Sequence, residues 1–248
     1  MTWANENSLA HQTLQKWVQQ ARKLVFFGGA GVSTESDIPD FRSADGLYHK
    51  HASYPPEEIL SHDFFLRHTE AFFAFYRQRM LYLDAKPNAA HRTLARWEAQ
   101  GKLALVITQN IDGLHQAAGS QNVVELHGSV HRNTCMRCGK QYDAAVILHS
   151  GGVPHCTCGG IIKPDVVLYG ESLNHSDLER AVKAIAQADV LIVAGTSLAV
   201  YPAAGLIDAY RGKQLVLINR DETPADSRAD LLLHEKVGEV LGALHADV

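Results

Sequence analysis

The sequence predicts an α/β protein: a parallel sheet with helices on both faces, joined to a smaller domain made of a cysteine-bearing module and a helical module. Three observations carry this. Short apolar runs alternate with segments of helical period, the pattern of a parallel sheet covered on both sides. Several of these runs end in glycine or small polar residues, where such sheets bind ligands. All four cysteines fall between Cys135 and Cys158, in a glycine-rich stretch unlike the rest of the chain.

The elements follow in order. Leu9, Leu14, Trp17, Val18 and Ala21 recur at near-helical spacing, giving an amphipathic helix over 8–22. Leu24 to Phe27 reads as a buried strand stopped by the turn Gly28-Gly29-Ala30-Gly31. Residues 32–62 are polar and proline-punctuated, an expected long loop, and loops of that length are usually functional. Residues 63–83 read as helix. Asn88 caps a helix running to Gln100, with Gly101 as its stop. Leu103 to Ile107, Val123 to Leu126, Asp165 to Leu168, Val190 to Ala194 and Leu215 to Ile218 are the further strands. Ser176 to Gln187, Pro202 to Tyr210 and Val237 to His245 are the further helices.

Composition bounds the function. At 248 residues the chain has room for about 1.7 average domains. Hydrophobic residues make up 46% and charged residues 20%, as in an ordinary globular protein. A formal net charge of -4 argues against a dedicated nucleic-acid binder, whose affinity rests on clustered positive charge. No apolar stretch is long enough for a membrane span, and Met1 to Ala10 lacks a signal-peptide pattern, so a cytoplasmic location is expected.

The cysteines are Cys135-Met-Arg-Cys138 and, after 17 residues, Cys156-Thr-Cys158. The first pair and the gap fit a structural zinc pattern; the second pair is one residue short. Gly159-Gly160 makes a tighter turn cheap, so four thiolates can still surround one ion and leave no open coordination position. Free thiols on a loop are one alternative, and replacement of one cysteine by His131, His149 or His155 is another.

The strand ends carry the remaining chemistry. Gly29-Ala30-Gly31-Val32-Ser33, Gly195-Thr196-Ser197 and Ile218-Asn219 each follow a strand, and together they suit a dinucleotide, with backbone N–H groups and hydroxyls for phosphate and Asn219 for a ribose hydroxyl. Thr108-Gln109-Asn110-Ile111-Asp112-Gly113-Leu114-His115 concentrates polar side chains where burial is costly unless they bind something, although Asp112 is also a ready helix cap. His127 follows another strand and is either a general base or a hydrogen-bonded structural histidine.

These runs, with Ile38-Pro39-Asp40-Phe41-Arg42, the paired cysteines and Lys163-Pro164-Asp165-Val166-Val167-Leu168-Tyr169-Gly170-Glu171, resemble the sirtuins, in the family's order from residue 29 to 219. The resemblance implies an NAD-dependent protein-lysine deacylase of bacterial type. It implies a Rossmann-type domain from 1–35, 81–127 and 165–248, with a helical module at 36–80 and a zinc module at 128–164. The acyl oxygen would attack the ribose carbon as nicotinamide leaves. His127 would then deprotonate a ribose hydroxyl, and water would release free lysine and O-acyl-ADP-ribose. Cofactor contacts would come from Gly29, Ala30, Gly31, Thr34, Ile38, Phe41, Arg42, Gln109, Asn110, Asp112, Gly195, Thr196, Ser197, Asn219 and Val237. Val166, Val167, Leu168 and Tyr169 would pair with an acylated-lysine protein substrate as an added strand. Cys135, Cys138, Cys156 and Cys158 would hold one structural zinc.

Two alternatives accompany that reading. Tyr76 and Arg79 offer a Tyr-x-x-Arg spacing that resembles the pair found in sirtuins preferring succinyl or malonyl groups, and an arginine suits such a carboxylate; a solvent-facing arginine is the plainer explanation. Protein ADP-ribosylation is the other possible outcome on the same scaffold. One departure from the family stands out: Asp37 occupies a place where the family usually has glycine.

Overall fold

The computed structural model describes residues 3–40 and 54–244. The elements are α1 (Trp3–Gln20), β1 (Leu24–Gly28), α2 (Pro56–Ile59), α3 (His62–Arg67), α4 (Thr69–Arg79), α5 (Ala89–Ala99), β2 (Leu103–Thr108), α6 (Leu114–Ala117), β3 (Val123–Glu125), β4 (Gly128–Cys135), β5 (Gln141–Tyr142), α7 (Ala144–His149), β6 (Ile162–Val166), α8 (His175–Ala186), β7 (Val190–Ala194), β8 (Leu215–Ile218), β9 (Leu231–Leu233) and α9 (Val237–Ala243). Phe41 and Arg42 lie outside the described residues.

Six strands form one parallel sheet in the order β3-β2-β1-β7-β8-β9. Strand β1 is buried on both faces because its alternate side chains enter two different cores. Leu24 and Phe26 pack with α1, α5 and α9 through Leu14, Trp97 and Leu241. Val25 and Phe27 pack on the other side with α8 and the 3₁₀ segment Ala203–Ala209. The chain leaves β1 toward β2 and β3 and returns on its other flank with β7, so β1 is the topological switch point, outside whose carboxyl end such sheets bind ligands.

A three-stranded antiparallel sheet, β5-β4-β6, lies apart from the first. It shares a core with α2, α3 and α4, in which Phe65, Phe72, Phe73 and Tyr76 stack against Val130, Ile162 and Val166. Arg77 ties α4 to the end of α7, donating to Ser150 Oγ at 3.0 Å and to the Gly152 carbonyl at 2.7 Å.

Several expectations change. The strand expected at Asp165 to Leu168 runs instead over Ile162–Val166 and belongs to the small sheet. The helix expected over 63–83 is two helices broken at His68, whose backbone leaves the helical region at φ -133° and ψ 48°. Within the expected loop 32–62 lie a 3₁₀ turn, Thr34–Ser36, and helix α2. The helix at Pro202 to Tyr210 is a 3₁₀ segment, and β9 is an additional edge strand.

Candidate active site

Four neighbouring strands of the large sheet end at one cleft of about 410 Å³, opposite the segment that follows β6. The loop after β1 lies against the loop after β7 because Gly29, Gly31 and Gly195 carry no side chains at the crossing. A Cβ on Gly29 would stand 2.8 Å from Thr196 Cβ, and one on Gly31 would stand 2.8 Å from Gly195 Cα. Gly195 itself has φ +59° and would push a Cβ to 2.4 Å from the Val32 nitrogen. This packing corrects one expectation. The Gly29 and Gly31 N–H groups are not free for phosphate, since they donate to Ala194 O at 3.2 Å and to Gly195 O at 2.8 Å.

A directed hydrogen-bond chain crosses the floor. Asn110 Nδ2 donates to Ser33 Oγ at 3.0 Å, and Ser33 Oγ donates to Asp112 Oδ2 at 2.7 Å. The other Asp112 oxygen accepts from the Leu114 N–H at 2.9 Å. Asp112 therefore caps the turn at Leu114 and also lines the cleft. Asn110 keeps its carbonyl oxygen and one N–H for a ligand, the complement of a carboxamide.

A second relay joins β2, β7 and β8. Gln109 Nε2 donates to Thr196 Oγ1 at 2.9 Å, and the Leu198 N–H donates to the same oxygen at 3.2 Å. The Thr196 hydroxyl hydrogen is thus left to point elsewhere. The Thr196 N–H donates to Asn219 Oδ1 at 2.9 Å, while the buried Asn219 Nδ2 has no protein partner. An orphaned amide donor at a cleft between strand ends fits a ribose or phosphate oxygen.

His127 stands beside this floor. Its Nδ1 lies 2.9 Å from the Gln109 carbonyl, which can only accept, so Nδ1 carries the hydrogen and Nε2 keeps a lone pair. Burial lowers its pKa below the usual histidine value, with the Gln109 bond opposing, so the neutral form prevails at neutral pH. The His127 carbonyl also accepts from the Val167 N–H at 2.9 Å, which couples the histidine to the segment after β6. Gly128 permits that junction: its φ is +79°, and a Cβ there would meet the Asp165 carbonyl oxygen at 1.9 Å.

Val166, Val167, Leu168 and Tyr169 line the opposite wall. Glu171 fixes them, accepting from the Leu168 N–H at 2.9 Å and pairing with His62 at 2.8 Å and Lys163 at 3.3 Å. Burial pushes its carboxyl up, but these donors hold it below the ordinary glutamate value. Tyr76 and Arg79 also reach this cleft; the Tyr76 ring is fully buried and its hydroxyl has no partner.

Thr34, Ile38, Ala30, Ser197 and Val237 line the cleft as well, so every described residue expected to touch cofactor or substrate meets in one place. Ser33, Glu35 and Glu171 were not among the candidates. Ser33 had a signal in the glycine turn that carries it; the partners of Glu35 are too distant in sequence to be read.

The four cysteines lie elsewhere, in the small sheet. Their Sγ atoms all fall within 4.8 Å of one another, with Cys135 and Cys158 at 3.5 Å and Cys138 and Cys156 at 3.6 Å. Tetrahedral zinc with bonds of about 2.3 Å demands sulfur separations of about 3.8 Å, so the set fits that ion. The short Cys-x-Cys spacing is accommodated by Gly159 at φ +84° and by Gly160, whose Cβ would stand 2.8 Å from Cys135 Sγ. The Tyr142 hydroxyl donates to Cys156 Sγ at 3.0 Å, a bond that favours the thiolate a metal needs.

Fold and site together define an α/β nucleotide-cleft protein with a thiolate-bounded accessory module. The model of the Sir2 family matches residues 29–202, and the chain belongs to that family. A Clostridium acetobutylicum protein named NAD-dependent protein deacetylase is 59% identical over 232 residues, covering 92% of this chain and 95% of its own. A Cutibacterium acnes protein of the same name is 52% identical, covering 96% and 98%. Among solved structures, a Sir2 variant with deacetylated p53 peptide and 3′-O-acetyl ADP-ribose superposes with TM-score 0.86 at 40% identity, over 93% of this chain and 95% of that one. A Sir2 homologue in complex with NAD gives 0.85 at 41% identity, over 94% and 91%.

Proposed function

We propose that this chain is an NAD-dependent protein-lysine deacetylase, with His127 as general base. The observation that carries this is the His127 ring, which lines the cleft beside the Asn110-Ser33-Asp112 chain and is held through Nδ1 by the Gln109 carbonyl, leaving Nε2 with its lone pair. The relatives named NAD-dependent protein deacetylase support the same activity. NAD supplies the electrophilic ribose carbon and the nicotinamide leaving group. Asn110 holds the carboxamide by its free amide edge, and Asp112 keeps Ser33 oriented. Thr196, Asn219 and Ala30 hold the phosphate and adenosine-ribose side. His127 accepts the ribose hydroxyl proton, help worth about 10²–10⁴ in rate. Val166 to Tyr169 bind the substrate backbone, which makes recognition of the acylated protein tolerant of sequence.

The cysteine set acts as a structural zinc site that staples β4 to the turn before β6.

A second acyl class has one observation in its favour. The Tyr76 hydroxyl, which has no hydrogen-bond partner among the described residues, and the half-buried Arg79 both line the cleft, which suits the carboxylate of a succinyl or malonyl group. Assays with acetyl-lysine and succinyl-lysine peptides, with and without NAD, test both readings. Turnover of acetyl-lysine that requires NAD and is lost in His127→Ala supports the main one. Turnover of succinyl-lysine that falls at least tenfold in Arg79→Ala, with acetyl turnover retained, supports the second.

A further inference from the structure

The loop after β1 and the start of α9 are joined by one side chain whose partner is 203 residues away. Glu35 Oε2 accepts from the Gly238 N–H at 2.6 Å. That N–H lies in the first turn of α9, where helix donors have no partner of their own, and Lys236 supplies no side-chain cap. Gly238 is the residue that makes room: a Cβ there would stand 2.6 Å from Glu35 Oε2 and 2.8 Å from its Cδ. The Lys236 ammonium pairs with Glu239 at 2.8 Å and also feels the Glu35 charge.

The chain neighbours of these two residues, Thr34 and Val237, both line the cleft. Other bonds secure the same loop to the fold: Asn88 Nδ2 donates to the Val32 carbonyl at 2.7 Å, and Ser33 bonds Asp112. The Glu35 contact is therefore not needed to keep the loop folded. What it adds is a fixed distance between the wall carrying Thr34 and the wall carrying Val237.

We propose that Glu35 is a positioning residue for the dinucleotide, a latch that holds the two walls of its site in register before it binds. The proposal rests on the NAD reading of the cleft. Preorganisation of this kind lowers the cost of ordering the site and so acts on cofactor affinity rather than on the chemical step.

The test measures NAD affinity by titration calorimetry and steady-state kinetics on the full zinc-loaded chain. Glu35→Ala is expected to weaken Kd and KM for NAD about tenfold, equivalent to about 1.4 kcal/mol. Its kcat at saturating NAD and its peptide KM should stay within about twofold of the parent chain. Glu35→Gln, which keeps an accepting oxygen, should bind NAD like the parent. Gly238→Ala, which displaces the carboxylate without removing it, should reproduce the Glu35→Ala defect, and the double variant should be no worse than either single one. An unchanged NAD Kd in Glu35→Ala, an equal rise in peptide KM, or additive penalties in the double variant would overturn the latch. Failure of the parent chain to bind NAD would overturn the cofactor reading instead. In that event hydrogen exchange at the Gly238 amide still decides the latch, which requires faster exchange in Glu35→Ala than in Glu35→Gln.

Discussion

Mild acid should destabilise this protein through two buried histidines beneath the site floor. The His91 and His115 rings are 4.7 Å apart and essentially inaccessible, and neither His115 nitrogen has a protein partner. Burial lowers His91 to about 4, against an opposing pull from Asp112, and burial drives His115 well below the ordinary value. In the unfolded chain both return to about 6.5. The unfolded state therefore binds protons that the native state refuses. Stability is complete above about pH 6.5 and is lost as pH falls toward the folded values. Each ring contributes about 1.4 kcal/mol per pH unit in that window. At pH 5 the pair costs about 4 kcal/mol, a large part of a total stability of about 5–15 kcal/mol. Urea unfolding followed by tryptophan fluorescence at pH 7.5, 6 and 5 measures the slope. His115→Phe, which keeps a ring beside Phe26 and removes one titrating group, should lower it by about a third to a half, the depressed His127 supplying part of the remainder. A stability flat between pH 7.5 and 5, or a slope unchanged in His115→Phe, would refute the reasoning.

Other expectations follow from particular contacts. Asp37 sits in the left-handed region at φ 62°, which explains why glycine is usual there; Asp37→Val should cost about 1–3 kcal/mol in urea unfolding and Asp37→Gly nothing. Gly128→Ala should lose about 3 kcal/mol or more, or fail to fold, because the new methyl meets the Asp165 carbonyl. Cys138→Ser should reduce bound zinc below one equivalent in a metal-release titration and lower the melting temperature.

Much of this molecule is legible in its sequence, and the exceptions have physical causes. Strands β1, β7 and β8 are apolar throughout because both faces are buried, and their polar ends announce the cleft. Strand β6 is hard to place from sequence because Pro164 is rare inside a strand, although Ile162, Pro164 and Val166 alternate as its buried residues. The break at His68 carries no glycine or proline to mark it. Strand β9 is three leucines long, too short for any period to register. The site residues were found where chemistry is concentrated in one short run, as at Gln109, Asn110 and Asp112. Glu35 escaped because its meaning lies in a backbone N–H near the other end of the chain.

The most direct measurement is mass spectrometry of the products formed from NAD and an acetyl-lysine peptide by the parent chain and by His127→Ala. Free lysine peptide, nicotinamide and O-acetyl-ADP-ribose in equal amounts are predicted for the parent. For His127→Ala, NAD binding without these products is predicted. ADP-ribosylated peptide or protein in place of O-acetyl-ADP-ribose, or full product formation by His127→Ala, would contradict the assignment of His127 as the base of an acyl-lysine hydrolysing site.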